Sequence, residues 1–186
     1  RQDTCQGDSG GPLFLGEDPA PYVVGLTSFG TPDCAIETLQ DAAVWPDCLR
    51  GAYWRWGYTF SWHYQTEPVT EEYDARKNCS GLNCVSAQVE RNQRILADES
   101  LPDNVRVEAL AFLVHFIGDI HMPLHSGDHD DRGGNDVKVR WFGDETNLHA
   151  VWDSRLIDSR SLSYTEYARW LGREIEPGDA IAWWTA

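Results

Sequence analysis

The sequence predicts a mostly α-helical domain preceded by a short β-rich segment. Four stretches have the pattern of helices, namely residues 85–96, 104–120, 146–157 and 164–175. By contrast, residues 1–36 are rich in Gly and Pro and contain β-like runs such as residues 21–30. Because the composition changes at about Glu37, we divide the chain into residues 1–36 and residues 37–186.

The segments between the main helices are predicted from turn residues and short apolar runs. A short amphipathic helix is expected at residues 38–44, ending ahead of Pro46 because proline cannot continue a regular helix. Residues 130–136 form a predicted loop, and residues 137–142 a strand or extended segment that ends in a turn at Gly143.

Charge and composition argue against nucleic-acid binding through basic residues and against a membrane span, and they favour an oxidising compartment. The net charge of −15 argues against ordinary nucleic-acid binding through Lys and Arg on phosphates. No apolar run is long enough for a membrane span, and the N-terminus lacks an apolar signal segment. Five cysteines predict an oxidising compartment, so we expect a secreted or periplasmic protein with no membrane partner and no obligate protein partner.

The segment 112–125 is the most informative one for function. It holds three of the six histidines and an aspartate within an apolar sequence. His115 and Asp119 are four residues apart, so they share one face of the predicted helix. His125 follows just after Pro123, where the helix is expected to end. The helix is predicted to be buried through apolar residues at helical spacing, Leu110, Leu113, Val114 and Ile117.

A buried histidine and aspartate on one helix face require partners, and a metal ion is one such partner. A single histidine on an apolar helix is more often a hydrogen-bonded core residue than a ligand. Here, however, three histidines and an aspartate occur together, and His149 and Asp153 repeat the four-residue spacing. Histidine and aspartate are good zinc ligands, so the pattern predicts a zinc site. Asp47 and His63 are further candidate ligands, although each alone is more typical of a cap or a surface group.

The segment Asp3-Thr-Cys-Gln-Gly-Asp-Ser-Gly-Gly-Pro12 resembles the nucleophile loop of trypsin-like serine proteases. The resemblance implies a nucleophile at Ser9, oxyanion-hole amides at Gly7 and Ser9, a buried carboxylate at Asp8 and a specificity-pocket carboxylate at Asp3. It also implies a substrate-aligning strand at residues 28–30 and a Cys5–Cys34 disulfide.

A nucleophilic serine needs a histidine base and a carboxylate that orients it. The resemblance places both upstream of the nucleophile loop, and residues 1–36 contain no histidine. We therefore interpret residues 1–36 as the C-terminal fragment of a trypsin-like barrel that lacks its catalytic histidine and aspartate. A trypsin-like serine endopeptidase is an alternative function for the chain.

Residues 37–186 carry a second and longer resemblance. Its motifs are Trp45-Pro-Asp47, Trp62-His-Tyr64, Cys79 with Cys84, Glu108 to His125, Asp131-Arg-Gly-Gly-Asn135, Thr146-Asn-Leu-His149 and Trp152-Asp153. In this order they resemble the zinc-dependent single-strand nucleases of plants and fungi, of the mung bean nuclease type. The resemblance implies a helical fold related to three-zinc phospholipase C, here incomplete at both ends. It implies cleavage of RNA and single-stranded DNA to 5′-mononucleotides, and removal of 3′-phosphates.

The same resemblance implies zinc ligands residue by residue. One zinc is expected on Asp47, His63, His115 and Asp119, and a second on His125, His149 and Asp153. Asp119 would bridge the first zinc to a third, and Asp47 and Asp119 would take part in activating the zinc-held water. The third site also takes an N-terminal Trp and an early His, which we expect to be missing here. An inactive zinc-binding remnant is therefore another alternative, and the ligands alone do not separate nucleotide from lipid phosphodiesters.

The remaining expectations concern side chains around the site and the cysteines. Arg132 and Asn135 are expected either to shape the approach of a phosphate or to stabilise their loop. For the aromatic residues from Trp54 to Tyr64, core packing is favoured over base stacking. Cys79 and Cys84 bracket a short loop and are expected to form a disulfide, whereas Cys48 has no evident partner. His121 is expected to pack or to support the site, and His129 has no assigned role.

Overall fold

The computed structural model describes residues 11–15, 22–27, 36 and 39–174, and this part of the chain is mostly helical, as predicted. The α-helices are α1 (Leu39–Cys48), α2 (Tyr53–Trp56), α3 (Ala75–Asn78), α4 (Val85–Ala97), α5 (Asp103–His121), α6 (Pro123–Ser126), α7 (Leu148–Ala150), α8 (Leu156–Asp158) and α9 (Tyr164–Leu171). Short 3₁₀ turns lie at Leu49–Ala52, Gly57–His63, Ser80–Leu82 and Gly172–Glu174. A π-helical turn, Val151–Arg155, joins α7 to α8.

Strands in the described residues form three two-stranded sheets. Strands β1 (Gly11–Leu15) and β2 (Tyr22–Thr27) pair antiparallel within the segment predicted to be β-rich. Strands β3 (Glu67–Pro68) and β4 (Gly127–Asp128) pair parallel and connect the segment after His63 to the segment after His125. Strands β5 (Lys138–Trp141) and β6 (Asp144–Asn147) form an antiparallel hairpin.

Helix α5 is the centre of the described domain, because α1 and α4 both pack against it. Its Phe112 contacts Trp45 of α1 edge to face, with ring centroids 5.3 Å apart, and contacts Trp62 in the same way at 5.6 Å. Such aromatic pairs add about 0.5–1.5 kcal/mol each beyond the area they bury. The core therefore fixes α5 relative to the segments that carry Asp47 and His63.

The buried face of α5 is not the one that the apolar spacing predicted. Leu110, Leu113 and Val114 are half-buried, and Ile117 is 36% exposed. The fully buried face includes Phe112, His115, Phe116 and Asp119 instead. The helix is buried as predicted, but its most buried face differs because His115 and Asp119 have partners in the interior and occupy the face that points inward.

Two helix boundaries also differ from the prediction. Helix α1 continues through Pro46 to Cys48, whereas the sequence predicted an end at residue 44. Pro46 is fully buried, and burial of its ring offsets the hydrogen bond that the missing N–H removes. The helix predicted at residues 146–157 begins at Leu148, because Asn147 lies in β6 and caps the helix by accepting from Ala150 N at 2.7 Å.

The structure confirms one of the disulfide predictions and corrects what was expected of the other cysteines. Cys79 and Cys84 are bonded, with Cα atoms 5.2 Å apart. Cys48 is buried and also takes part in a disulfide, so the expectation that it has no partner was wrong. Cys5 and Cys34 lie outside the described residues. Because Cys79 and Cys84 are bonded to each other, these two are the cysteines left in the sequence for Cys48, so the predicted Cys5–Cys34 pair is incompatible with the Cys48 disulfide.

Within the described part of the chain, no helix combines the length and apolar character needed to cross a membrane.

Candidate metal centre

A first cluster of candidate ligands lies where three segments meet. Asp47 comes from the last turn of α1, His63 ends a 3₁₀ turn, and His115 projects from the middle of α5. Their ligand atoms lie within 4.8 Å of one another, and all three residues are buried. His63 Nδ1 lies 2.9 Å from His115 Nε2 and 3.5 Å from Asp47 Oδ1, and His115 Nε2 lies 3.9 Å from Asp47 Oδ1.

Asp119 completes this cluster from the next turn of α5. Its Oδ2 atom lies 3.1 Å from His63 Nδ1 and 3.0 Å from His115 Nε2. Four ligands held tetrahedrally at about 2.0–2.2 Å from a zinc ion are about 3.3–3.6 Å apart. The measured separations, from 2.9 to 3.9 Å, lie on both sides of that value. Two imidazoles and two carboxylates around one point therefore fit a single divalent cation.

The backbone of α1 orients His115 within the cluster. The Nδ1–H of His115 donates to the carbonyl of Ala43 at 2.6 Å, which leaves Nε2 to face the other ligands. A hydrogen bond of this kind to the far nitrogen is typical of metal-bound histidines.

A second cluster consists of His125, His149 and Asp153, which are partly buried. His125 Nε2 lies 3.6 Å from Asp153 Oδ1, and His149 Nε2 lies 3.9 Å from Asp153 Oδ2. His149 is oriented like His115, because its Nδ1–H donates to the carbonyl of Gly133 at 2.9 Å. Asp119 links the two clusters, since its Oδ1 lies 3.1 Å from His125 Nδ1.

In the metal-free first cluster, the pKa values of His63, His115 and Asp119 are shifted. As a result one titrating proton stays where a cation would bind. Burial lowers the pKa of His63 to about 4 despite the adjacent Asp119 carboxylate. Burial also acts to lower the pKa of His115, but the charges of Asp119 and Asp47 outweigh it and raise that pKa to about 9. Burial acts to raise the pKa of Asp119, but the charge and hydrogen bond of His115 hold it well below the ordinary value. At neutral pH the metal-free cluster therefore keeps one proton on His115, directed at Asp119 and His63.

A cavity of about 450 Å³ opens onto members of both clusters, including His63, His125 and His149. Arg132 and Asn135, the two residues predicted near a phosphate, both line it. Asn135 also donates to the carbonyl of Arg132 at 2.9 Å, so it stabilises the loop as well. Arg50 supplies the other cationic side chain among the described lining residues.

Comparison with known proteins identifies the family. A model of the S1/P1 nuclease family matches residues 27–185. The chain belongs to the S1/P1 nuclease family. It is 37% identical over 174 residues to Endonuclease 3 of Arabidopsis thaliana, covering 86% of this chain and 57% of that protein. It is 35% identical over 158 residues to Nuclease P1 of Penicillium citrinum, covering 78% of this chain and 58% of that nuclease.

Nuclease S1 of Aspergillus oryzae is 30% identical over 155 residues, a match that covers 78% of this chain and 53% of that nuclease. The chain thus spans about half the length of the curated nucleases it matches. A trypsin family model also matches residues 1–44, and this match overlaps the S1/P1 nuclease match over residues 27–44.

The loop that carries the second cluster of this S1/P1 nuclease family member requires glycine at position 133. Gly133 has a φ of +60°, and a Cβ atom there would lie 2.3 Å from the carbonyl oxygen of Leu124. Asp128 Oδ1 fixes the loop by accepting from Gly133 N at 3.0 Å and from Asp131 N at 3.2 Å. Gly133 can therefore bring its carbonyl to His149 only because it is glycine.

Three contributors to the site were not identified from the sequence. The carbonyls of Ala43 and Gly133 are backbone atoms, so no side-chain type marks them. The Gly133-Gly134 pair is the one signal in the sequence that could have indicated an unusual backbone at the second of these positions. Arg50 follows Asp47 by three residues, and its Nη2 lies 2.9 Å from Asp47 Oδ1. That spacing is common in any helical turn, which is why it gave no signal.

Other residues singled out in the sequence lie away from the clusters or outside the described residues. His121 is exposed and donates to the carbonyl of Ile117 at 2.6 Å, so the expectation of packing or support was wrong. His129 is exposed. Ser9 and Asp3 lie outside the described residues, so their protease-like roles stay predictions.

Proposed function

We propose that this S1/P1 nuclease is a zinc-dependent phosphodiester hydrolase that acts on RNA and single-stranded DNA. The observation that supports it best is the pair of ligand clusters linked by Asp119 beside one cavity. The family resemblance, and relatives with names such as Nuclease P1 and Endonuclease 3, support a nucleic-acid substrate over a lipid one.

The donor sets favour two zinc ions. We assign the first to Asp47, His63, His115 and Asp119, and the second to His125, His149 and Asp153. When bound, zinc supplies Lewis acidity and lowers the pKa of bound water. Asp119 contributes to both clusters, so its carboxylate keeps the two ligand groups in a fixed relation.

The protein's own part in the reaction is to hold and orient the phosphodiester. Arg50 and Arg132 line the cavity and carry the positive charge that attracts a phosphate. The guanidinium of Arg50 is held by Asp47, so it keeps a fixed direction while a substrate binds. His115 and His149, each tied to a carbonyl, present the same ring nitrogen to the site throughout.

The finer assignments follow from the family resemblance. We propose 5′-mononucleotides as products, 3′-nucleotidase activity as a second reaction, and a secreted location that suits the Cys79–Cys84 disulfide. Of the ligands expected for a third zinc, Asp119 is the one that the described residues supply. We therefore expect activity below that of a relative that holds three zinc ions.

The test combines zinc analysis with hydrolysis of denatured DNA in the presence and absence of a chelator. The proposal predicts bound zinc and release of acid-soluble nucleotides that stops when the metal is removed. Hydrolysis that continues without metal would contradict it. Zinc-loaded protein without any activity would instead support the alternative of an inactive zinc-binding remnant.

A further inference from the structure

The aromatic residues that precede His63 are mostly on the surface, contrary to the predicted core packing. Trp54 is 84% exposed, Tyr53 72%, Tyr58 59% and Phe60 53%. Among the rings of this run, Trp62 alone is fully buried. Single exposed aromatic residues are common, but four within eight positions form a surface patch that core packing does not explain.

Several of these rings line an open cavity of about 680 Å³ that is distinct from the metal cavity. We call this surface the aromatic face and define it by Tyr53, Tyr58, Phe60, Trp62 and Arg91. The ring of Tyr53 lies against Gly57, where a Cβ atom would be 2.8 Å from Tyr53 Cε2. Tyr58 contacts Trp62 edge to face, with centroids 5.3 Å apart. The rings are therefore held in place before any ligand binds.

The aromatic face is continuous with the metal cavity through Phe60, which lines both. On the metal side, the guanidinium of Arg50 lies 5.5 Å from the Phe60 ring centroid. A chain molecule with its phosphate near the ligand clusters would thus reach the aromatic face by passing over Phe60.

The charge of this surface differs from that of the whole protein. The chain has 30 acidic residues, yet residues 48–66 contain none and include two arginines. Among the described residues, no carboxylate lines the cavity at the aromatic face. Arg91 does line it, and its guanidinium lies 5.3 Å from the Trp62 ring centroid. Exposed rings interleaved with arginines are the features that bind unpaired bases and their phosphates.

We propose that the aromatic face binds the stretch of single-stranded nucleic acid next to the phosphodiester held in the metal cavity. This inference rests on the proposed function and adds a second contact region for its substrate. Unpaired bases stack on Tyr53 and Tyr58, and Arg91 contacts a phosphate. A duplex keeps its base faces stacked internally, so this surface selects single strands.

The experiment measures binding of a fluorescein-labelled phosphorothioate oligothymidylate of about twelve nucleotides, a length within the range of single-strand sites and resistant to hydrolysis. Fluorescence anisotropy is recorded with the zinc-loaded wild type and the variants Tyr58→Ala and Arg91→Gln. The matched controls are Tyr73→Ala, an exposed tyrosine elsewhere, and Arg94→Gln, an exposed arginine on the same helix. Hydrolysis of a thymidine dinucleotide reports on the metal cavity alone.

We expect Tyr58→Ala to weaken oligonucleotide binding by about 5- to 150-fold, the range for loss of one stacked base. Arg91→Gln should reduce the slope of log affinity against log salt by about 0.7, the value for one phosphate contact. Both variants should hydrolyse the dinucleotide at the wild-type rate, and both controls should bind like the wild type.

Three results would overturn the inference. If Tyr58→Ala and Arg91→Gln bind the oligonucleotide as tightly as the wild type, the aromatic face does not bind the strand, and the proposed function is unaffected. A wild type that neither binds the oligonucleotide nor cleaves the dinucleotide would overturn both this inference and the proposed function. Self-association in sedimentation that Tyr58→Ala abolishes, with no change in oligonucleotide binding, would assign the face to a second copy of the chain.

Discussion

At the scale of single residues, the Asp119 carboxylate contacts histidines of both ligand clusters. One oxygen lies beside His63 and His115, and the other lies 3.1 Å from His125 Nδ1. Loss of its charge should affect both clusters, because each contains a histidine that this carboxylate faces.

We predict that Asp119→Asn lowers zinc affinity by at least about 100-fold, the upper range for changes next to a bound metal. The amide keeps the shape but not the negative charge that offsets the cation. Zinc titration by calorimetry measures the change. Asp103→Asn, a carboxylate 98% exposed at the start of the same helix, is the control and should leave affinity unaltered. Equal affinity for wild type and Asp119→Asn would argue against the assignment.

The pKa shifts of His63 and His115 predict how the stability of the metal-free protein depends on pH. The pKa of His63 is lowered to about 4, so between about pH 4 and 6.5 the unfolded state binds the extra proton and stability rises with pH. The pKa of His115 is raised to about 9, so between about pH 6.5 and 9 the folded state binds it and stability falls with pH.

These two histidines give a maximum of unfolding free energy near pH 6.5, and each contributes a slope of up to about 1.4 kcal/mol per pH unit on its side. Burial also acts to lower the pKa of His125, but Asp119 outweighs it and raises that pKa, which adds to the decline on the alkaline side. Urea denaturation of chelator-treated protein between pH 4 and 9 measures it. Zinc should remove the alkaline decline, because the metal replaces the proton on His115. A metal-free protein whose stability keeps rising from pH 6.5 to 9 would contradict the raised pKa of His115.

The ligand residues were accessible from the sequence because their identity and spacing carry the chemistry. The i, i+4 pairs His115/Asp119 and His149/Asp153 pointed to two polar helix faces, and the motifs supplied Asp47 and His63. The orienting carbonyls were not accessible, because a backbone acceptor looks the same at every position. The exposed aromatic residues were also missed, since exposure depends on which neighbours the fold provides.

At the scale of elements, the loop from Asp128 to Asp136 determines the second cluster. Its backbone amides are fixed by Asp128 and Asp131, and its Gly133 carbonyl orients His149. A change in this loop should therefore alter the second cluster without altering the first, which is built from α1, α5 and the turn before His63.

We predict that Gly133→Ala destabilises the protein by about 1–3 kcal/mol and releases one zinc ion, because its Cβ would collide with the Leu124 carbonyl at a positive φ. Thermal unfolding and zinc analysis by mass spectrometry measure these effects. Gly81→Ala is the matched control, since Gly81 has a φ of +68° but no atom within 4 Å of its Cβ position. Similar zinc content in the two variants would show that the loop does not hold the second cluster.

Element boundaries were predicted well where the helix signals were local. Helix α4 and helix α5 lie within one residue of their predicted ends, because apolar periodicity marks their extent. The C-terminal end of helix α1 and the N-terminal end of the helix after β6 were predicted wrongly, because both depend on tertiary structure. Burial of Pro46 extends the first, and pairing of β6 with β5 delays the second.

At the scale of the whole molecule, the chain matches two family models. The S1/P1 nuclease model covers residues 27–185, and the trypsin model covers residues 1–44. The overlap of the two matches over residues 27–44 includes the boundary placed at Glu37. Sequence composition located this boundary because β-like and helical segments differ in their content of Gly and Pro and in the spacing of apolar residues. Whether residues 1–36 have catalytic activity of their own depends on the reactivity of Ser9.

We predict that a fluorophosphonate probe does not label the protein, because Ser9 lacks a histidine base within residues 1–36. Active-site labelling followed by mass spectrometry measures it, with trypsin as the positive control. Rapid labelling that disappears in Ser9→Ala would show that the trypsin-like segment is catalytically competent.

The zinc content of the purified chain tests the central claim most directly. The two clusters predict about two zinc ions per chain, one on each set of ligands. Native mass spectrometry should show this stoichiometry in the wild type, and His115→Ala should lose one ion while keeping the other. A wild-type chain that binds no zinc at saturating concentration would contradict the assignment of both sites.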